Sequence, residues 1–173
     1  MNIAVRQSIN SNIYVENDYQ GNLSEENLAR VNFIAWSDWF QIWLDFLYIN
    51  TDIPQEYELS LRLTSDRQMQ QYNQQYRDLN KPTDVLAFAA LESDISLPEI
   101  DEPIYLGDLI ISLDTAQRQA REQKHSLTME LAWLSSHGLL HLLGWDHPDD
   151  NSLQVMLDRQ SELIYLLNTF NLH

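Results

Sequence analysis

The stretch His137-Gly138-Leu139-Leu140-His141-Leu142-Leu143-Gly144-Trp145-Asp146-His147 decides how this chain is read. It holds three of the five histidines in 173 residues. His137 and His141 stand four apart, so on a helix they share one face, about 6 Å apart along the axis. Two imidazoles at that spacing can grip one metal ion. Gly144 stands where the helix has to stop, because glycine readily takes the left-handed conformation of a helix C-terminus. The turn it permits can return His147 to the same ion. Three histidines leave one position of a tetrahedral Zn²⁺ ion open for water, the arrangement of a catalytic site.

A lone histidine on an apolar helix is ordinarily a packed core residue. Three at this spacing, with a glycine between the second and third, are poorly explained by packing. The spacing equals that of the H-E-x-x-H-x-x-G-x-x-H motif of zinc peptidases, except that Gly138 replaces the glutamate. That glutamate is the general base of such a peptidase, and glycine transfers no proton. The chain has no cysteine, so disulfides are impossible and zinc must be held by histidine or carboxylate.

The pattern H-G-x-L-H-L-x-G-x-D-H resembles the signature of the YbeY family, bacterial metal-dependent endoribonucleases of ribosomal RNA maturation. Two further blocks are similar to the same family: Asn73-Gln74-Gln75-Tyr76-Arg77 running into Lys81-Pro82-Thr83-Asp84-Val85-Leu86-Ala87-Phe88, and Leu106-Gly107-Asp108-Leu109-Ile110-Ile111-Ser112. The resemblance spans roughly residues 55 to 165; residues 1 to 54 diverge, and Ala87 stands where the family usually has serine. It implies one domain over residues 1–173, acting as a single-strand endoribonuclease in maturation of the 16S rRNA 3′ end and in ribosome quality control. It further implies one Zn²⁺ per chain on His137, His141 and His147, single-stranded ribosomal RNA as partner, and ribosomal or ribosome-assembly proteins as further partners, with no DNA. It also places a functional arginine, Arg62, near substrate phosphate.

Two other functions stay open. A zinc metallopeptidase is suggested by the ligand spacing and opposed by Gly138. A non-catalytic, metal-stabilised module that binds ribosomal or assembly proteins suits the charge: 26 acids against 10 bases give a formal net charge of −16. Phosphate neutralisation supplies much of nucleic-acid affinity, so an RNA partner requires a local basic cleft or recruitment by another protein.

A chain of this length, 44% hydrophobic and 10% aromatic, is expected to form one domain with its own core. Its first residues lack the charged start and long apolar run of a signal peptide, so a cytoplasmic location is expected. Asn2 to Ile9 reads as an edge strand. Ser11 to Gln20 shows no period, and Gly21-Asn22 signals a turn. Ser24 followed by Glu25 and Glu26 marks a helix start. From Leu28 onward the spacing is helical, and Trp36, Trp39, Phe40, Trp43 and Phe46 are core candidates. Val31 to Ile49 carries Asn32, Asp38, Gln41 and Asp45, which are costly within a membrane, so one long or two short helices on the core are predicted, with no membrane contact.

Tyr57 to Thr64 alternates cleanly, with Leu59, Leu61 and Leu63 on one face and Arg62 on the other, where a solvated surface residue is the plainer reading. Asp66 to Leu79 is a predicted helix stopped by Asn80-Lys81-Pro82. Asp84 to Ala90 and Tyr105 to Ser112 are predicted strands, the second interrupted at Gly107-Asp108. Glu92 to Pro103, acidic with two prolines, is a predicted loop. Helices follow over Leu113–Lys124, Leu127–Leu143 behind Ser126, and Ser152–Thr169, the last with Leu153, Met156, Leu157, Gln160, Leu163 and Leu167 along one side. Unalternated strands and helices give an α+β fold: a small mixed sheet of about four strands layered with about five helices. The family resemblance implies the same, with a metal helix distantly like that of zinc peptidases.

Around the histidines, three residues carry two readings each. Glu130, nearly two turns before His137, either faces the site or simply favours the helix N-terminus. Asp146 either orients a ligand histidine through its second ring nitrogen or forms a turn. Gly138 either makes room for a sugar-phosphate backbone or lets the helix pack closely on a neighbour. His125 matches a family histidine, yet at a helix start it reads as surface.

Overall fold

A computed structural model describes residues 10–48, 56–90 and 102–170. In chain order these form β1 (Asn10–Asn17), α1 (Glu25–Asn32), α2 (Trp36–Leu47), β2 (Glu56–Thr64), α3 (Asp66–Arg77), β3 (Val85–Ala89), β4 (Ile104–Ser112), α4 (Leu113–Gln123), α5 (Leu127–Leu142) and α6 (Asp150–Thr169). The four strands make one mixed sheet in the order β1-β2-β4-β3. β1, β2 and β4 run parallel, and β3 pairs antiparallel with β4 as an edge strand. The α+β class and four strands agree with expectation.

There are six helices among the described residues rather than about five, because residues 25–47 divide. Ser24 caps α1 by accepting from Asn27 N, and the chain bends through Phe33–Ala35 before α2. That break turns Val31 of α1 and Trp36, Trp39, Phe40 and Trp43 of α2 into one core. Trp43 is fully buried, and its Nε1 donates to the Leu163 carbonyl at 2.9 Å, satisfying its one polar atom. The aromatic segment is therefore core, and no helix among the described residues is long and apolar enough to cross a membrane.

The β2 leucines behave as their alternation predicts. Leu59, Leu61 and Leu63 are buried in the main core beneath α5, together with Leu109 and Ile111 of β4. The other sheet face is partly covered by α3, which buries Met69 against Leu86 and Ile110. α3 starts with a capping box between Ser65 and Gln68.

β1 corrects the sequence reading. The strand lies at Asn10–Asn17, all but its first residue in the segment read as having no period, whereas the strand expected at residues 2–9 lies outside the described residues. Apolar alternation is weak because one face is solvated. Parallel pairing to β2 and cross-strand side-chain contacts hold it instead: Asn12 to Glu56 at 2.7 Å and Arg62 to Glu16 at 2.7 Å. The loop expected at Glu92–Pro103 lies mostly outside the described residues. Gly107 does not interrupt β4. It sits at a register shift with φ +132°, where any Cβ would meet the Phe88 carbonyl oxygen.

Candidate metal centre

α5 is the central helix, capped by Ser126, whose hydroxyl accepts from Met129 N at 3.1 Å. Its leucines Leu131, Leu134, Leu139, Leu140 and Leu142 are buried, so the helix is held on several sides and its histidines are fixed at one rim. The helix ends in a Schellman arrangement: Trp145 N donates to Leu140 O at 3.0 Å and Gly144 N to His141 O at 3.0 Å. Gly144 takes φ +87°, the left-handed conformation expected of it. The guanidinium of Arg159 on α6 lies 5.6 Å from the Phe46 ring and 5.8 Å from the Trp145 ring, pinning the turn.

That turn returns His147 to the helix. The ring centroids of His137, His141 and His147 are 4.6, 5.7 and 5.3 Å apart pairwise, and one nitrogen from each falls within a 4.8 Å cluster. His137 Nε2 and His141 Nε2 are 3.0 Å apart. Two ligands at tetrahedral angles on zinc stand about 3.4 Å apart, given bonds near 2.1 Å. The donor set and its spacing therefore fit a divalent ion with only small side-chain adjustment. Burial first, and then a neighbouring imidazole, lower the pKa of both His137 and His141. Both are biased toward the neutral form that binds metal.

The cluster opens into a cleft of about 760 Å³, walled by the edge strand β3, the end of α3, the loop after it, and α5 and α6. Of the further sequence candidates, Gly138 and Asp146 line this cleft, whereas Glu130 and Arg62 do not. Gly138 is buried, and a Cβ there would come within 2.7 Å of Leu109 Cδ2 and 3.4 Å of Val85 Cγ2, so α5 packs closely on the sheet at this point. Asp146 accepts from the backbone N–H of His147 at 2.8 Å, a turn-forming contact. Glu130 is only 4% exposed and pairs with His125 Nε2 at 3.0 Å, away from the histidine cluster. Arg62 points to the sheet face opposite α5, bonded to the Tyr72 hydroxyl and Glu16 in a second cavity.

One participant was not singled out in the sequence. Gln160 of α6 is fully buried, with Oε1 3.3 Å from His137 Nδ1 and Nε2 donating to Trp133 O at 2.8 Å. Its signal was a lone amide in an apolar helical stripe. A second is Asp84, which lines the cleft and accepts from Val85 N at 2.8 Å and Gln119 Nε2 at 2.9 Å.

Comparison with known proteins places this geometry. The family model of endoribonuclease YbeY matches residues 22–168. Endoribonuclease YbeY of Trichormus variabilis is 56% identical over 79% of this chain and 78% of its own. The Synechocystis protein of that name is 53% identical over 76% and 75%, and the Picosynechococcus one 50% identical over 88% and 91%. The solution structure of a Thermotoga maritima protein superposes with a TM-score of 0.56 at 20% identity, covering 92% of this chain and 91% of that one, a likeness of fold alone. With its matched region spanning strands β2 to β4 and the histidine helix, the chain belongs to the YbeY endoribonuclease family.

Proposed function

We propose that this protein is a zinc-dependent endoribonuclease that cleaves single-stranded ribosomal RNA in the cytoplasm, in maturation of the 16S 3′ end and ribosome quality control. The observation that carries it is the convergence of His137, His141 and His147 at an open cleft lined by the first two, in a chain of this family. Zinc suits three imidazoles without a thiolate. Bound there, a divalent ion supplies Lewis-acid polarisation of a phosphoryl oxygen and acidifies water.

The residues of the chain do the rest. His137 and His141 present imidazoles biased toward the neutral form from a helix buried on several sides, and the Schellman turn sets His147 as the third donor. Gly138 stands where a peptidase carries its glutamate, so no side chain at that position abstracts a proton. RNA brings its own nucleophile, the 2′-hydroxyl, which suits a site of this kind. Arg62, in the second cavity, serves as a distal phosphate contact rather than a group at the ion.

The test compares metal-loaded protein with His141→Ala on single-stranded RNA, with elemental analysis of both. About one first-row divalent ion per chain, lost together with RNA cleavage in the variant, is expected. Equal metal in wild type and a variant lacking all three histidines overturns the metal site, and peptide cleavage without RNA cleavage overturns the substrate.

A further inference from the structure

The C-terminal ends of the parallel strands β1, β2 and β4 lie side by side, and α1, α3 and α4 follow them. The crevice outside such strand ends is where open sheets bind ligands. A third cavity, of about 640 Å³, opens there, bordered by Ser24 and Ser65, the N-caps of α1 and α3, and by Asp114 in the first turn of α4. Three of the chain's ten basic residues line it: Arg67 on α3, and Arg118 and Arg121 on α4.

The two acids of this cavity are engaged by the scaffold. Asp66 accepts from Ser112 Oγ at 2.6 Å, Thr115 Oγ1 at 2.7 Å and Arg118 Nη1 at 2.6 Å. Asp114 accepts from the Tyr19 hydroxyl at 2.5 Å and from Asp66 N at 2.9 Å. These bonds tie the starts of α3 and α4 to the chain after β1, so the wall is built before any ligand arrives. Arg67 and Arg121 are exposed and in none of the salt bridges among the described residues. The helix N-termini are already capped, so the guanidinium groups carry the available positive charge.

Helix α3 joins this cavity to the histidine cleft. From Arg67 to Arg77 it holds no acid, in a chain that has 26. Arg67, Gln71, Gln74 and Arg77 stand at i, i+4, i+7 and i+10 and are all exposed, so they form one stripe along the helix. At 1.5 Å per residue the stripe is about 15 Å long. One end lines the third cavity and the other the histidine cleft. Amide side chains bond phosphate and sugar as arginines do. A carboxylate-free strip between two cationic ends therefore suits a polyanion, on a surface that is otherwise strongly acidic.

We propose that the third cavity is an exosite for RNA, in which Arg67, Arg118 and Arg121 hold phosphates of nucleotides lying outside the histidine cleft and reached along the α3 stripe. This rests on the endoribonuclease reading and adds to it a second anchoring point, about 15 Å from the cleft. Affinity then depends on how far the RNA extends. Contacts to the backbone carry no base preference, so the anchor is indifferent to sequence.

The test uses the full-length, metal-loaded chain and two fluorescent oligoribonucleotides, of about 4 and about 16 nucleotides, the span of single-strand site sizes. Wild type is expected to bind the longer RNA more tightly and with a steeper slope of log affinity against log salt. Arg67→Gln with Arg121→Gln should flatten that slope by about 0.7 per cation removed on the longer RNA, and leave the shorter RNA, metal content and Tm unchanged. Arg118 is left in place because it pairs with Asp66. Gln71→Glu, which puts an acid in the middle of the stripe, should weaken the longer RNA alone. Wild type with no gain from length, or a double variant with the wild-type slope, overturns the exosite. Equal losses on both RNAs overturn it too, because the arginines would then act on the cleft through the overall field. Inorganic phosphate that shifts the Arg67 and Arg121 side-chain NMR signals, with the longer RNA bound alike by wild type and variant, makes the cavity a site for free anions and overturns the RNA assignment. Wild type that neither binds nor cleaves either RNA overturns the endoribonuclease reading, whereas binding and cleavage of the shorter RNA without an effect of the variants overturns this inference alone.

Discussion

Gln160 dictates which nitrogen of His137 carries the proton. Its Nε2 donates to Trp133 O at 2.8 Å, so the oxygen end of the amide is the one that lies 3.3 Å from His137 Nδ1. An oxygen there accepts, so Nδ1 keeps its hydrogen and Nε2, 3.0 Å from His141 Nε2, offers the lone pair. Gln160→Leu removes this control while filling much of the same volume. Trp133 O keeps a partner, since it also accepts from Ser136 Oγ at 2.9 Å. Metal affinity should fall by about 10–100-fold, the usual effect of losing an orienting partner. Competition with a chromophoric chelator measures it, and wild-type affinity would show that the ring is oriented by packing alone.

Gly138→Ala weighs two effects of opposite sign. Helix propensity favours alanine by about 1 kcal/mol. Against it, the new methyl would sit 2.7 Å from Leu109 Cδ2, and Leu109 is fully buried with little freedom to retreat. Overpacking a core costs about 1–3 kcal/mol, so a net loss of roughly 1 kcal/mol is expected, with the metal retained. Denaturant unfolding decides it. A variant more stable than wild type but slower on RNA would instead make Gly138 a space for substrate.

What could be read from the sequence followed the strength of the local pattern. β2 and α5 were legible because alternating leucines and an i, i+4 histidine pair have one structural solution each. β1 was not, because its outer face is solvated and its one partly buried isoleucine, Ile13, gives no period. Gln160 escaped because a polar residue in an apolar stripe does not announce its partner, which comes from a different helix.

Arg62 sits in register opposite Glu16 on β1. A glutamate there would face another acid across the strands, which is itself destabilising, so Arg62→Gln is the cleaner substitution. Exposed ion pairs contribute about 0–1 kcal/mol, and stability should change little. RNA binding should weaken only modestly, because Arg62 lies in the second cavity and outside the histidine cleft. Fluorescence anisotropy against salt measures it. Wild-type affinity in Arg62→Gln would reduce this arginine to ordinary surface.

Glu130 gives the fold a pH dependence of defined sign. Burial pushes its carboxyl up from the ordinary glutamate value of 4.5; the nearby His125 pulls it down and Asp84 pushes it up further. A carboxyl with a raised folded pKa holds its proton more tightly in the native state than in the unfolded chain. Its contribution to stability is therefore complete below pH 4.5 and is lost as pH rises through the folded value. Glu130→Gln retains an oxygen to accept from His125 Nε2 but does not titrate. The stability of wild type minus that of the variant should fall as pH is raised from about 4.5 toward neutrality, measured by denaturant unfolding at a series of pH values. Other titrating groups cancel in the difference as long as they are the same in both proteins. A difference that rises with pH would mean that pairing with His125 outweighs burial, and that the carboxylate is held charged inside the fold.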